Sequence, residues 1–250
     1  MNLSQNTILI TGGTSGIGRK LAESLHDVGN RVIVTGRRHT LLDEITTLRP
    51  GILSFVLDIN DAGALNRFAE TVSQQFPELN VLIANAGISL SENVSSDGWD
   101  AKGAEAIVNT NILGVIKVAT AFMPLLRRQE QATFMATGSA LAFIPLAAYP
   151  TYCASKAFLH SWLTSIRHQL RATSVEVLEM LPPYLQTALT GDHQLDDARA
   201  MPVDEYINQV ISMLESQNTP RGELLLERDQ ARRWAEREGK YEEIFGLMNP

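Results

Sequence analysis

The chain has 250 residues, 44% of them hydrophobic and 20% charged, with a net charge of −7 and a pI of about 5.3. This composition fits a globular α/β protein of one large or two small domains, and its acidity argues against nucleic acid or an anionic membrane as partner. A single cysteine, Cys153, excludes an intrachain disulfide. With no secretory-type N-terminus and no run of about 18 apolar residues, a cytoplasmic protein without a membrane span is expected.

Short β-rich apolar runs at 7–10, 31–35, 53–57, 81–84, 133–137 and 175–180 predict buried parallel strands. Helical patterns lie between them at 16–28, 41–48, 62–76, 100–128 and 152–171. Thr40 and Asp43 have the spacing of a capping box that would open the second helix. After the sixth strand comes an irregular segment, 182–202, at the carboxyl edge where open α/β sheets bind ligands. A helix over 203–216, a seventh strand over 223–226 and a Glu/Arg-rich helical tail complete the chain. Strict alternation implies a doubly wound parallel sheet with right-handed crossovers. No linker, repeat or low-complexity run divides it, so residues 1–250 are expected to form one domain.

Between the first strand and first helix lies T-G-G-T-S-G-I-G, with Gly12, Gly16 and Gly18. Such glycines allow a sharp turn and bring backbone N–H groups and a helix N-terminus up to a pyrophosphate. In a dinucleotide site an acid about 20 residues further on receives the ribose 2′-hydroxyl. That slot holds Gly36, followed by Arg37 and Arg38. Two permanently charged planar forks suit a 2′-phosphate, so NADP(H) is expected over NAD(H).

Tyr152 and Lys156 stand one helical turn apart, and Ser139 follows the fifth strand. A phenol, with an ordinary pKa of about 10, becomes a useful acid when a nearby ammonium favours its phenolate. That pairing predicts a general acid that protonates a carbonyl oxygen, with the serine hydroxyl holding the same oxygen.

Together these residues resemble the short-chain dehydrogenase/reductase family from Thr7 to at least Leu226. Thr11-Gly12-x-x-x-Gly16-x-Gly18 is similar to its cofactor loop, and Ala84-Asn85-Ala86-Gly87 to the element that supports the central sheet beside the cofactor. Asp58 resembles the acid placed near the adenine, and Asn111 the asparagine of the active-site helix. Ser139, Tyr152 and Lys156 match the catalytic serine, tyrosine and lysine. The resemblance implies a single Rossmann-type domain with a sheet of about seven parallel strands and helices on both faces. It implies cofactor contacts from Gly12, Thr14, Ser15, Gly16, Ile17, Gly18, Gly36, Arg37, Arg38, Asp58, Ile59, Asn85, Ala86, Gly87, Tyr152, Lys156, Pro182 and Thr187. Lys156 would lower the pKa of Tyr152 and hold the nicotinamide ribose, and Asn111 would hold a proton-relaying water.

The chain departs from many relatives in having Pro182-Pro183 instead of Pro-Gly, which removes a backbone N–H near the carboxamide site of Thr187. That segment and the tail resemble a branch of the family named after a reductase-like protein of the cell-wall D-alanylation operon. Phe143, Tyr149, Tyr184 and Leu189, with Ser139 and Tyr152, are expected to line a largely apolar substrate pocket, and Arg199 is the one base on the loop. Cys153 is expected to pack, the histidines to bind no metal, and residues 228–245 to form a helix with Trp234, Ile244 and Phe245 turned inward. The expected activity is interconversion of a small-molecule carbonyl and an alcohol by a homodimer or homotetramer. The alternative is an NADP(H)-binding sensor or scaffold without turnover.

Overall fold

The computed structural model describes all residues, Met1–Pro250. Seven strands pair in parallel: β1 (Thr7–Thr11), β2 (Arg31–Gly36), β3 (Leu53–Val56), β4 (Leu79–Ala84), β5 (Ala132–Thr137), β6 (Val175–Leu181) and β7 (Glu223–Leu225). Their order across the sheet is β3-β2-β1-β4-β5-β6-β7. The strands read as continuous apolar runs because helices cover both faces.

Alternation along each strand divides the core in two. Leu9, Ile33, Leu82 and Phe134 pack with Phe68 of α3 (Ala62–Gln75), Phe122 of α5 (Val115–Leu126) and Leu159 of α6 (Pro150–Leu170). Ile8, Ile10, Val32 and Val34 point the other way. They meet Leu21 of α1 (Gly16–Asp27), Ile45 of α2 (His39–Leu48) and Tyr206 of α7 (Val203–Glu215). Because the strands are parallel, the loops after β1, β2, β4, β5 and β6 gather at one carboxyl edge, and the order reverses there between β1 and β4.

Three expectations change. Helix α4 (Lys102–Ile107) runs through a π-helical segment, Val108–Gly114, into α5. The resulting helix, Lys102–Leu126, is long and apolar enough, with mean hydropathy 1.5, to cross a membrane by length and composition. Polar residues interrupt the run in sequence; Val118, Phe122 and Leu126 are fully buried against the sheet, and 39% of the apolar window is buried inside the fold. The Thr40 capping box does not form: α2 begins two residues earlier, at His39, with Arg38 at the N-cap and no side-chain cap bond. The tail is two short helices, α8 (Gln230–Trp234) and α9 (Tyr241–Met248), parted at Gly239, where φ is +69°. Trp234 lies among Arg221, Arg233 and Arg237 rather than in the core, and Ile244 and Phe245 are only half-buried.

Candidate active site

The glycine loop fits a bound dinucleotide. Gly12 has φ +66°, and a Cβ there would stand 2.8 Å from the Cα of Ala86, so only glycine lets the loop turn against the end of β4. Asn85 fastens this junction. Its Nδ2 donates to the carbonyls of Thr11 (3.2 Å) and Gly12 (3.1 Å), and its Oδ1 accepts from the Thr137 hydroxyl at 3.1 Å. Asn85 therefore joins β1, β4 and β5. The loop feeds α1, whose first turn carries no acid and whose N-cap, exposed Ser15, makes no cap bond. Free N–H groups at a positive helix end favour an anion such as a pyrophosphate. Ile17 is partly buried against the core and Ile59 is buried in it. Thr187 reaches over from the segment after β6: a Cβ on Gly16 would be 3.3 Å from its methyl group.

At the end of β2, Gly36 offers no carboxylate and has no room for one in place, since a Cβ would stand 2.6 Å from Thr14 Cγ2. The next two arginines diverge. Arg38 donates through Nη2 to Ser15 Oγ at 2.9 Å, which draws its guanidinium to the mouth of the glycine loop. Arg37 leans instead toward Asp58, with Nη1 4.0 Å from Oδ2 and both groups well exposed.

The catalytic candidates converge beside this cradle. Asn111 is fully buried in the π-helical segment. Its Oδ1 accepts from the Ile88 N–H at 2.9 Å, and its Nδ2 donates to the Ile88 carbonyl (2.9 Å) and Ser155 Oγ (3.1 Å). The side-chain amide thus holds the chain after Gly87 against α6. Ser139 Oγ accepts from the Leu141 N–H at 3.1 Å, which leaves the hydroxyl hydrogen free to donate.

Lys156 is buried, with Nζ donating to the Thr137 carbonyl at 2.7 Å and standing 5.6 Å from the centre of the Tyr152 ring. Burial pushes Lys156 down to about 8, opposed by Glu179. Burial pushes Tyr152 up to about 12, while the facing Ser139 hydroxyl pulls it down. The expected lowering of the phenol by Lys156 is not what this geometry produces. The ammonium lies over the ring and is tied to a carbonyl, so desolvation dominates.

The expected pocket lining divides. Tyr149 packs beside Tyr152 and Ile107, and Leu189 is exposed on the loop. Phe143 meets His160 edge-on at 5.0 Å and lies beneath the Arg233 guanidinium at 4.5 Å, so it joins the tail to the site. Tyr184 donates to Asp197 Oδ2 at 3.1 Å. Arg199, well exposed, pairs with the same acid, with contacts of 3.0 and 2.7 Å. Cys153 is buried and meets the Leu146 backbone, as a packing residue would.

The motif order and this geometry agree with a direct match: residues 6–198 fit the family model described as short chain dehydrogenase. The chain belongs to the short-chain dehydrogenase family. A relative similar over full length is the uncharacterised oxidoreductase DltE of Bacillus subtilis strain 168, 36% identical and covering 100% of this chain and 98% of its own. Among solved structures, a short-chain dehydrogenase from Burkholderia cenocepacia J2315 in complex with NADP covers 100% of both chains, with TM-score 0.84 and 21% identity. One from Burkholderia phymatum in complex with NAD covers 100% of this chain and 97% of its own, with TM-score 0.81 and 18% identity. At those identities the two structures establish the fold. As a short-chain dehydrogenase, this chain is an oxidoreductase acting on alcohol and carbonyl groups.

Several residues of this dehydrogenase site lie outside the motifs. Glu92 accepts from the Thr151 N–H and hydroxyl, both at 3.0 Å, and so caps α6 from outside, one residue before Tyr152. Buried Gln194 buckles the segment after β6. It donates to the Leu185 carbonyl at 2.7 Å and accepts from Thr190 N (3.0 Å) and Oγ1 (2.6 Å). Asn249 receives the Ala147 N–H at 2.6 Å and donates to the Pro145 carbonyl at 3.2 Å, which pins the loop before Tyr152 to the tail. None had a local signal, because each partner is set by the fold.

Proposed function

We propose that this short-chain dehydrogenase is an NADP(H)-dependent oxidoreductase that interconverts a carbonyl and a secondary or primary alcohol, with Tyr152 as general acid and base. The observation that supports the chemistry is the burial of Ser139, Tyr152 and Lys156 together beside the glycine loop. The loop residues from Gly12 to Gly18, with Asn85-Ala86-Gly87 behind them, would hold the dinucleotide, and Thr187 would close over it. Bound nicotinamide cofactor supplies or accepts the hydride. In reduction Tyr152 donates its phenolic proton to the carbonyl oxygen, and Ser139 donates a hydrogen bond to the same oxygen as negative charge gathers there. A phenol held high by burial still gives its proton readily to an alkoxide, a far stronger base. Lys156 spends one N–H on Thr137 and keeps two for a ribose hydroxyl and the proton path.

The end of β2 supports NADP(H) over NAD(H). Gly36 packed on Thr14 leaves no place for the carboxylate that would receive a 2′-hydroxyl, and Arg38 is already held at Ser15. One charge-assisted hydrogen bond contributes roughly 1.5–3 kcal/mol, so NADPH should bind on the order of ten- to a hundredfold more tightly than NADH. The acidic composition and buried lone thiol are in keeping with a cytoplasmic protein, and the exposed Leu113 and Phe158 on packed helical segments with a homodimer or homotetramer. Titrating both reduced cofactors by fluorescence, with turnover screened over ketones, aldehydes and alcohols, tests this reading. Equal affinities would reduce the arginines to surface charge, and tight binding without turnover on any compound would favour a sensor or scaffold.

A further inference from the structure

Behind Lys156 lies a buried cluster of charges that the catalytic set does not use. Glu179, on β6, is 0% exposed. Its Oε2 stands 2.8 Å from Nδ1 of His160, one helical turn beyond Lys156 on α6. Its Oε1 meets no protein donor and lies against Gly138, where a Cβ would stand 2.5 Å from it. Gly138 joins Thr137, whose carbonyl holds the Lys156 ammonium, to Ser139. Glu179 therefore sits under the peptide that carries two anchors of the active site. A carboxylate buried this fully costs several kcal/mol without a compensating charge, and an inward strand position is ordinarily apolar.

We infer that Glu179 is a positioning residue for Lys156: its buried carboxylate holds the lysine's positive charge in place, and His160 fixes the carboxylate. The inference rests on the reading of Lys156 as a working ammonium. The other charges facing the cluster are accounted for. Glu223, paired in register with Glu179 on β7, is taken by Arg233 from the tail (3.0 and 2.9 Å) and by Arg221 (3.5 Å). Arg167, from α6, spends its Nε on the Val177 carbonyl at 2.8 Å. His160 is the one titratable side chain hydrogen-bonded to Glu179, and the Glu179 charge also works against the burial that lowers Arg167. In keeping with this, Glu179 is the group that opposes the burial-driven fall of Lys156 to about 8.

The test is NADPH affinity by fluorescence across roughly pH 6–10 in a Tyr152→Phe background, where the phenol does not titrate. With Glu179 present, binding should weaken as pH rises past about 8, where Lys156 loses its proton. In Glu179→Gln the midpoint should fall by on the order of one pH unit, since an opposing charge nearby raises a lysine's pKa by about that much or more. With Tyr152 restored, the alkaline limb of kcat/KM should move the same way. Glu179→Asp, which keeps the charge but withdraws it by one methylene, should give an intermediate midpoint, and it serves as the test if the glutamine variant does not fold. An unmoved midpoint in either folded variant overturns the inference, as does a Tyr152→Phe protein whose binding ignores pH. Failure to turn over any carbonyl would instead sink the oxidoreductase reading and leave this titration intact.

Discussion

Tyr152 and Lys156 are driven by burial in opposite directions, the phenol up to about 12 and the ammonium down to about 8. Both moves favour the neutral form, which is what a proton-exchanging pair in a dry site experiences. Ser139 is the side chain that works against this at Tyr152. Ser139→Ala should therefore lower kcat by about 10²–10³-fold, the loss typical of removing one oxyanion donor, with cofactor affinity unchanged. Steady-state kinetics beside a fluorescence titration would check it; a matching loss of cofactor affinity would assign Ser139 to the binding site instead. The two arginines should also separate. Arg38→Ala should weaken NADPH binding by about tenfold and leave NADH binding alone, while Arg37→Ala, whose side chain leans on Asp58, should do less. Equal losses from the two variants would show that a diffuse field, not the Arg38–Ser15 arrangement, selects the phosphate. Turning the preference toward NADH with an acid, Gly36→Asp, needs the space that Thr14 fills, so Thr14→Ala should accompany it.

Among the elements, strands and the helices they alternate with were legible because continuous apolar runs and helical periodicity are local properties. The glycine loop and the Tyr152/Lys156 turn were legible for the same reason. What escaped depends on partners distant in sequence: His160 with Glu179, Glu92 with Thr151, Asn249 with Ala147. The tail reads as one inward-packed helix in sequence because Gly239 alone gives little warning of a break. Its arginines are spent locally, and Arg233 matters most. Burial is the largest influence on the Glu223 carboxyl and pushes it up, but the paired hydrogen bonds from Arg233 together with the charges of Arg233 and Arg221 hold the group below its usual range. A depressed carboxyl adds stability above its unfolded pKa and loses it as pH falls through the folded value. Arg233→Ala should thus cost about 2–3 kcal/mol near neutrality, with Arg221 still in place, and the deficit should shrink below about pH 4. Thermal melts at neutral and acid pH measure this; a deficit that ignores pH would mean that Arg233 acts through packing on Phe143 and Trp234.

For the molecule as a whole, the parallel order of the strands brings every proposed site residue to one edge, although Gly12 and Thr187 are far apart in the chain. On the outside, Leu113 and Phe158 stand exposed where α6 packs against the π-helical segment. Phe158→Glu should convert an oligomer to a monomer in sedimentation velocity, with an unchanged distribution excluding this face from the interface. The most direct measurement of function is hydride transfer itself, followed by nicotinamide absorbance with NADPH and a carbonyl that the wild-type protein accepts. Tyr152→Phe should still bind NADPH and should lose at least about 10²–10⁴-fold in turnover, the contribution of a positioned general acid. Turnover in that variant close to wild type would contradict Tyr152 as the proton donor.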